Sequence, residues 1–365
     1  MPVSAHKGGA ALDGVLAERV LPYGAALVRS HAKGKSLMQQ RPVILRLITR
    51  RELGPFLLLV LELVVFQSIS PDFLSALNIG NVLDFTVELG MMALAMTLLM
   101  IAGEFDLSVG SVFGFSAVFM WTLKNSGATS LPVAFVIAMA AAVLFGLING
   151  WFVTKLRISS FLVTLGMNLV VRGAALFLTN GFPQRTWSAE GSRLANVLVG
   201  ELRFGNFHVY ASLFWFIGMA IVFGYVLSQT RRGNWIQASG GGAEAARARG
   251  IKVARTKTAL FVLIAMVSAF AGIISSIRTA SANPNSGTGY ELEIIAMVVI
   301  GGTALSGGRG SIIGTVLGVL ILRVMRNGIV MIGVPGLAYN IFIGVIIMTM
   351  VALHAILERR RRAEA

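Results

Sequence analysis

Acidic side chains inside the apolar part of this sequence are the residues whose type and placement could do chemistry. A carboxyl group within a membrane is costly, and by default it marks a functional site such as a proton relay, or a buried ion pair. Within the stretch GEFDLSVGS, Asp106 and Ser108 could instead cap a helix predicted to begin at residue 109. The acids in or beside early apolar segments are Glu62, Asp84, Glu88, Glu104 and Asp106.

The remaining reactive residue types form no recognisable catalytic or metal-binding pattern. The chain has no cysteine, which excludes disulfides and thiolate metal sites. Its four histidines lie far apart in the sequence, without the spacing of metal ligands. Gly34-Lys35-Ser36 resembles a phosphate-binding loop, but Arg29 stands where the first glycine of that motif would be. We therefore predict no catalytic residues, no metal, no cofactor and no ATP site on this chain.

Composition predicts that membrane-spanning helices position these residues. Of the 365 residues, 56% are hydrophobic and only 13% are charged, whereas a soluble domain carries about 25% charged residues. Several apolar segments approach the roughly 20 residues needed to cross the hydrocarbon core. The sequence thus predicts an all-α, polytopic integral membrane protein with about ten transmembrane helices. The ten segments are 54–70, 82–101, 109–125, 132–153, 159–179, 208–228, 258–280, 291–305, 311–330 and 339–357.

Two Gly-rich joints interrupt the apolar pattern and predict broken or half-length helices. Gly103–Ser108 joins the second and third segments, and Ser306–Gly310 joins the eighth and ninth. Irregular backbone at membrane depth is tolerated only where it is buried in protein or faces a cavity, so we expect the joints to line or gate a solute path. Helix capping and close packing are the alternative. GEFDLSVGS also resembles GTALSGGRGS at 302–311, a weak indication of an internal repeat.

The distribution of basic residues predicts the orientation of the chain. Under the ten-span topology, 23 of the 31 Lys and Arg lie in cytoplasmic segments, as the positive-inside rule requires, and both termini are cytoplasmic. This segregation accounts for the net charge of +15 without nucleic acid. Residues 1–53 are expected to form a disordered basic cytoplasmic extension, with Met38 as an alternative start. Residues 54–357 would form the transmembrane domain and 358–365 a basic cytoplasmic tail.

Several arginines depart from that distribution, among them Arg185, Arg193 and Arg203 in the loop 180–206, which is predicted to lie outside. Arg172 lies inside the fifth segment, and Arg323 and Arg326 lie near the outer end of the ninth. For Arg172 we expect either a functional or paired intramembrane charge or a side chain that reaches out to the interface from a misplaced boundary.

A hydrophilic basic loop, 229–257, separates the sixth and seventh segments. Its stretch Arg231–Lys257 holds seven Lys and Arg against one acid, Glu244. We predict a short helix, Gly242–Arg249, that is bracketed by Gly240–Gly242 and Gly250 and so behaves as a rigid body on glycine pivots. Such a loop suits contact with a cytoplasmic protein.

Four ordered motifs lie between about residue 54 and residue 355. They are DLSVGS at 106–111, RG at 172–173 followed by TNG at 179–181, GGAEAARARGI at 241–251, and TGYELEIIAMVVIGGTALSGGRGSIIGT at 288–315. Together they resemble the membrane permease subunit of ribose- and xylose-type ABC importers. The resemblance implies a fold similar to vitamin B12-type permeases in the bacterial inner membrane. It also implies a second permease chain, cytoplasmic ABC ATPase subunits and a periplasmic solute-binding protein, in addition to membrane lipids.

The resemblance also assigns roles to residues. It identifies the basic loop as the coupling helix that docks on the ATPase, through Gly240, Gly241, Gly242, Ala243, Glu244, Ala245, Ala246, Arg247, Gly250 and Ile251. The candidate translocation path comprises Glu104, Asp106, Ser108, Asn283, Tyr290, Glu291 and Ser306. Glu104-Phe105 before DLS, and Gly242 in place of an asparagine, depart from the family pattern and leave the solute open.

The predicted function is therefore the permease subunit of an ABC importer for a monosaccharide or a related small solute. It would work by alternating access, with ATP hydrolysis on another subunit. Two alternatives remain open at this point. One is a proton-coupled secondary transporter that uses Glu104 and Asp106, and the other is an ABC permease for a nucleoside, polyol or autoinducer.

Overall fold

The computed structural model describes residues 52–186, 192–205, 207–345 and 348–349. The chain divides between Leu53 and Gly54, and the elements below lie in the second unit apart from the first residue of α1. The predictions for residues 1–51 and for the basic tail lie outside the described residues.

Twelve helices and four short strands make up the described elements. The helices are α1 Leu53–Ile69, α2 Ala76–Ile101, α3 Val109–Asn125, α4 Leu131–Lys155, α5 Ser160–Thr179, α6 Arg193–Val199, α7 Ser212–Gln229, α8 Arg231–Gly241, α9 Ala243–Ala248, α10 Val253–Arg278, α11 Tyr290–Ile300 and α12 Ile312–Met331. The strands are β1 Gln184–Arg185, β2 Glu201–Phe204, β3 Phe207–Tyr210 and β4 Ser281–Ala282. A 3₁₀ turn, Gly336–Ala338, precedes further helical residues at 339–345 and 348–349.

Two 26-residue helices, α2 and α10, form the centre of the bundle. Almost every residue of α2 from Thr86 to Ile101 is buried, and α10 is buried over most of its apolar length. In contrast, α4, α5 and α7 are apolar helices whose side chains mostly point outward. Apolar residues on an outward face suit a hydrocarbon environment rather than water.

Polar pairs fix the register of the central helices. Trp121 Nε1 on α3 donates to Ser276 Oγ on α10 at 2.9 Å, and the hydroxyls of Thr97 and Thr315 lie 2.6 Å apart. All four side chains are buried, and a buried polar group that lacks a partner is destabilising. These pairs therefore favour one alignment of α2, α3, α10 and α12.

The structure is mostly helical, and six of its helices are long and apolar enough to cross a membrane. They are α2, α4, α5, α7, α10 and α12. Helices α1 and α3 match predicted segments but have 17 residues each. The chain is therefore a polytopic membrane protein, and its structure adds shorter helices to these six.

Two predicted segments require correction. The predicted span 291–305 is only an 11-residue helix, α11, which is about 16 Å long and too short to cross the core. It ends where Gly301 packs against the backbone of Gly314 and Gly302 adopts a positive φ of 87°. The helix in the predicted segment 208–228 begins later than predicted, because residues 208–210 belong to β3 and α7 starts at Ser212.

The four strands form two antiparallel pairs. In the first, β1 pairs with β4, so that Gln184 lies opposite Ala282. This pairing places the loop after α5 and the loop after α10 at one end of the bundle, as the predicted topology requires. In the second, β2 pairs with β3 to form a hairpin before α7.

Candidate functional site

The basic loop folds into two helices, α8 and α9, rather than one short helix with free glycine pivots. Thr230 separates α7 from α8 with an extended backbone, and its hydroxyl accepts from Gly233 N at 3.3 Å. Gly233 lies so close to the carbonyl of Leu227 that a side chain there would collide with it. The chain can thus reverse direction sharply after α7.

Helix α9 ends with a glycine cap at Gly250, where the sequence predicts a pivot. Gly250 has a φ of 82°, and Ile251 N donates to Ala246 O at 3.0 Å across it. This pattern is a Schellman motif, in which glycine takes the left-handed position at low cost. Ala246 is buried, whereas Glu244, Ala245 and Arg247 are exposed, so α9 offers one free face.

The predicted hinge at Gly240 is instead a tight contact that we call the glycine junction, formed by Gly103, Gly240, Gly307 and Gly308. Gly240 is in the last turn of α8, and a Cβ there would collide with the carbonyl oxygen of Ile101. A Cβ on Gly307 would lie 2.9 Å from Gly103 Cα. Gly308 N donates to Ile101 O at 2.7 Å. The junction therefore brings α8 and both Gly-rich joints into backbone contact.

The first joint is held by a buried polar cluster. Asp106 Oδ1 accepts from Ser108 N at 2.7 Å and from Ser108 Oγ at 2.5 Å. Asn149 Nδ2 donates to Asp106 Oδ2 at 3.3 Å, and Leu107 N donates to Thr164 Oγ1 at 2.9 Å. The carboxylate of Asp106 thus holds Ser108, the residue before α3, and does not bond to an N–H of α3 itself. The prediction that Asp106 and Ser108 cap α3 is therefore wrong, because neither side chain makes a capping bond to the helix.

Glu104 pairs with a residue of the basic loop. Its Oε1 accepts from Lys257 Nζ at 2.6 Å, and each side chain is 15% exposed. Lys257 is on the first turns of α10, directly after the loop that carries α9. The extra acid in GEFDLSVGS therefore links the first joint to the basic loop.

The two joints resemble each other in sequence but not in conformation. Ser108 is buried, whereas Ser306, its counterpart in the alignment, is exposed. Gly110 is helical in α3, whereas Gly308 has a φ of 77°. The joints meet at the glycine junction, but their backbone conformations and burial differ. Their sequence similarity therefore does not place matching residues in matching environments.

A second group of candidate residues lies in the segment 283–289, which we call the return segment because it runs back from β4 along α3. Arg172 Nη1 on α5 donates to Pro284 O, and it also donates to Ser286 O at 2.8 Å. Side chains on Gly110 and Gly114 would collide with the return segment. Arg172 is therefore a partnered intramembrane charge that holds irregular backbone.

The predicted path residues near the return segment do not share one environment. Asn283 Oδ1 accepts from Asn285 N at 2.8 Å within a local turn. Glu291 is half-buried near Gly110, and its Oε2 has no hydrogen-bond partner among the described residues. Tyr290 packs edge-on against Phe113 with the ring centroids 5.4 Å apart.

Tyr290 also lines a cavity of about 340 Å³ between α2, α3, α10, α11 and α12. Its walls hold the ion pair of Glu88 with Arg278, whose Oε1 and Nη2 lie 2.8 Å apart. Arg323 on the same wall pairs with Glu293, which also accepts from Tyr339 Oη at 2.7 Å. The sequence does not predict this network, because the paired residues are far apart in the chain. The only feature that could have indicated it is the presence of charged residues within apolar segments.

These findings place most of the candidate site residues in two groups. Gly240 and Glu104 lie at the end that carries α8 and α9, together with Asp106 and Ser108 in the adjoining cluster. Asn283, Tyr290 and Glu291 lie along or after the return segment. The predicted path residues are thus divided between the two groups, which are connected through α3. Over the described ranges there is no group of His, Asp and Glu suited to a metal ion.

Comparison with known proteins identifies the family. Residues 78–351 match the family described as "Branched-chain amino acid transport system / permease component". The chain is 36% identical over 299 residues to the ribose import permease protein RbsC of Escherichia coli strain K12, covering 80% of this chain and 90% of that protein. It is 34% identical over 312 residues to the L-arabinose ABC transporter permease protein AraH of Azospirillum brasilense, covering 82% and 87%.

A third relative is the galactose/methyl galactoside import permease protein MglC of Escherichia coli strain K12. It is 33% identical over 318 residues, covering 84% of this chain and 94% of that protein. No solved structure matches the chain. The family match, the three relatives and the apolar helices agree on one conclusion: the chain is an integral membrane protein that belongs to the permease-component family of transport systems.

Proposed function

We propose that this chain is the permease subunit of an ABC importer for a monosaccharide. Three of its relatives are named as a ribose import permease, an L-arabinose ABC transporter permease and a galactose/methyl galactoside import permease. The observation that carries the proposal is the glycine junction, because it joins an exposed, basic two-helix loop to the backbone breaks of the bundle. A movement imposed on α8 and α9 would reach both joints directly.

In this proposal, α9 docks on a separate ABC ATPase subunit. Its exposed face carries Glu244 and Arg247, which can pair with charges on a partner, and its alanines leave a narrow profile. Gly240, Gly241 and Gly242 end α8, and Gly250 with Ile251 ends α9. ATP-driven closure of the ATPases would displace α8, and the junction would pass that displacement to Gly103 and Gly307.

The proposed assembly contains two permease chains, two ATPase subunits and a periplasmic solute-binding protein in the bacterial inner membrane. We propose ten spans and a vitamin B12-type architecture, with both termini cytoplasmic. The six helices that are long enough to cross a membrane, the shorter apolar helices α1, α3 and α11, and the helical residues from 339 onward support ten segments, of which α11 is half-length. Residues 54–357 would be the permease domain, with the basic extension 1–53 and tail 358–365 on the cytoplasmic side.

We further propose that the two joints form the gate on the cytoplasmic side, and that the cavity beside Tyr290 admits solute from the other side. Its volume of about 340 Å³ accommodates a monosaccharide. Its aromatic and charged walls offer stacking and hydrogen bonds to a sugar. Recognition would be weak, since the binding protein selects the solute and release must stay fast.

Proton-coupled transport is less well supported. Glu104 is paired with Lys257, and Asp106 is held by Ser108 and Asn149, so neither acid is free to carry protons. ATP dependence separates the two mechanisms: import by the ABC system stops on ATP depletion and survives collapse of the proton gradient. The opposite pattern would support the secondary transporter.

The docking proposal is tested with Glu244→Lys in α9 and its matched control Glu201→Lys in the exposed hairpin at the other end of the bundle. We expect Glu244→Lys to lose ATPase co-purification and solute uptake while the chain still inserts in the membrane. The control should retain both. Wild-type ATPase binding and uptake by the Glu244→Lys permease would refute the assignment of α9.

A further inference from the structure

A groove between α4 and α10 lies outside everything assigned above. It has a volume of about 740 Å³ and runs along the ends of these helices that adjoin the basic loop. Gly146 and Gly150 lie beside it, and their missing side chains let α4 contact the α10 backbone at Val262 and Thr258. The helices touch along this seam, and the groove opens beside it.

The walls of the groove are apolar and exposed. Leu147, Trp151 and Phe152 of α4 line it, with exposed fractions of 46%, 50% and 36%. The facing wall comes from α10, including Ala259 and Val262. Both helices are long and apolar enough to cross a membrane, so this surface would face acyl chains. Large aromatic residues near a helix end are typical of the membrane interface.

The mouth of the groove is basic. Lys155, in the last turn of α4, and Arg255, in the first turn of α10, both line it and both are exposed. Neither makes an ion pair within the part of the chain that the structure describes. The sequences of α4 and α10 contain no Asp or Glu. Two basic side chains without an ion pair among the described residues therefore lie at the polar end of an apolar groove about 12 Å long.

We propose that this groove binds an anionic phospholipid, with its phosphate between Lys155 and Arg255 and an acyl chain along Trp151 and Phe152. Basic pockets between transmembrane helices on the cytoplasmic side match anionic head groups in charge and position. A second copy of this chain fits less well, because a two-fold interface would bring the same two cations against their own copies.

The test measures retention of phosphatidylglycerol and of phosphatidylcholine with identical acyl chains by native mass spectrometry of the purified full-length chain. We expect wild type to prefer phosphatidylglycerol. Lys155→Gln/Arg255→Gln should weaken phosphatidylglycerol binding roughly 30-fold, because each basic side chain near an anionic surface contributes about a fivefold factor. Binding of phosphatidylcholine should not change.

Two further variants make the result specific. Arg231→Gln/Arg232→Gln removes two exposed charges from α8, outside the groove, and should change phosphatidylglycerol binding less than threefold. Ala259→Trp fills the groove and should reduce retention of both lipids. Wild-type phosphatidylglycerol retention by Lys155→Gln/Arg255→Gln would overturn the proposal. So would a change in subunit stoichiometry without a change in lipid retention, which would make the groove an interface between copies.

Discussion

At the scale of single residues, Gly240 and Gly241 are neighbours in α8 that differ in whether a side chain fits. A Cβ on Gly240 would collide with the Ile101 carbonyl, whereas the nearest atom to a Cβ on Gly241 is Gly308 Cα at 3.7 Å, an ordinary contact. Both residues are in the same helix, and helix propensity favours alanine at both positions. A difference between the two alanine variants would therefore come from the contact at the glycine junction.

We expect Gly240→Ala to lower ATP-driven uptake in proteoliposomes by about tenfold, because overpacking against backbone costs about 1–3 kcal/mol and must displace α8 or a joint. Gly241→Ala should keep wild-type uptake. Both variants should insert equally, as measured by membrane-extracted protein. Equal uptake by the two variants would show that the contact at Gly240 does not matter for transport.

Glu104 offers a second residue-scale prediction. Glu104→Gln leaves the mostly buried Lys257 without its charged partner, so we expect a loss of about 1–3 kcal/mol in stability. The measurement is the Tm of the purified permease, and the exchange Glu104→Lys/Lys257→Glu should recover part of the loss. Glu201→Gln in the exposed pair with Arg203 should leave the Tm unchanged.

An unchanged Tm for Glu104→Gln, together with a shifted solute preference, would contradict this account. It would place the carboxylate in the solute path, as one of the two sequence-based hypotheses allowed.

At the scale of elements, the return segment depends on Arg172. Its guanidinium donates to two carbonyls of backbone that forms turns but neither helix nor strand. Within a membrane, each unsatisfied backbone group costs several kcal/mol. The segment also leads directly into α11, so its position sets the start of that half-length helix.

We expect Arg172→Gln to increase amide hydrogen exchange in residues 283–289 at least tenfold, since the shorter amide cannot reach both carbonyls. Arg193→Gln, which removes an exposed arginine from α6, is the matched control and should leave exchange there unchanged. Protection of 283–289 that is the same in Arg172→Gln and wild type would rule out the clamp.

Elements with a strong apolar pattern could be predicted from the sequence, and elements held by tertiary contacts could not. The segment 132–153 became α4, Leu131–Lys155, because its apolar run is long and uninterrupted. The sequence predicts a loop where α8 lies, because glycine and polar residues disfavour a helix. Burial of Gly233, Ile236 and Ser239 overrides that propensity. The position of Gly250 was predictable from local cap chemistry.

The candidate site divides in the same way into features that local sequence predicts and contacts that it does not. The basic loop and the two joints stood out as motifs, but nothing local indicated that Gly240 contacts Gly308. Glu293 pairs with Arg323, and Asp106 pairs with Asn149, across parts of the chain that are far apart in sequence. One sequence does not reveal such contacts. Its charges within apolar segments indicated only that partners must exist.

At the scale of the whole molecule, the proposed docking helix and the two joints form one mechanical connection. The exposed face of α9 leads into α8, α8 into the glycine junction, and the junction into the joints before α3 and α12. Backbone-to-backbone contacts lack flexible side chains that could absorb a displacement. We therefore expect a change imposed on α9 to alter the exposure of the second joint.

The most direct test is the labelling rate of Ser306→Cys by a small polar thiol reagent. Ser306 is exposed, and the chain has no native cysteine that would interfere. The rate is compared between permease with nucleotide-free ATPase and permease with ATP trapped on the ATPase. The account predicts a severalfold change on trapping, retained with Gly241→Ala and lost with Gly240→Ala. An identical rate in both nucleotide states, or a full response in Gly240→Ala, would contradict it.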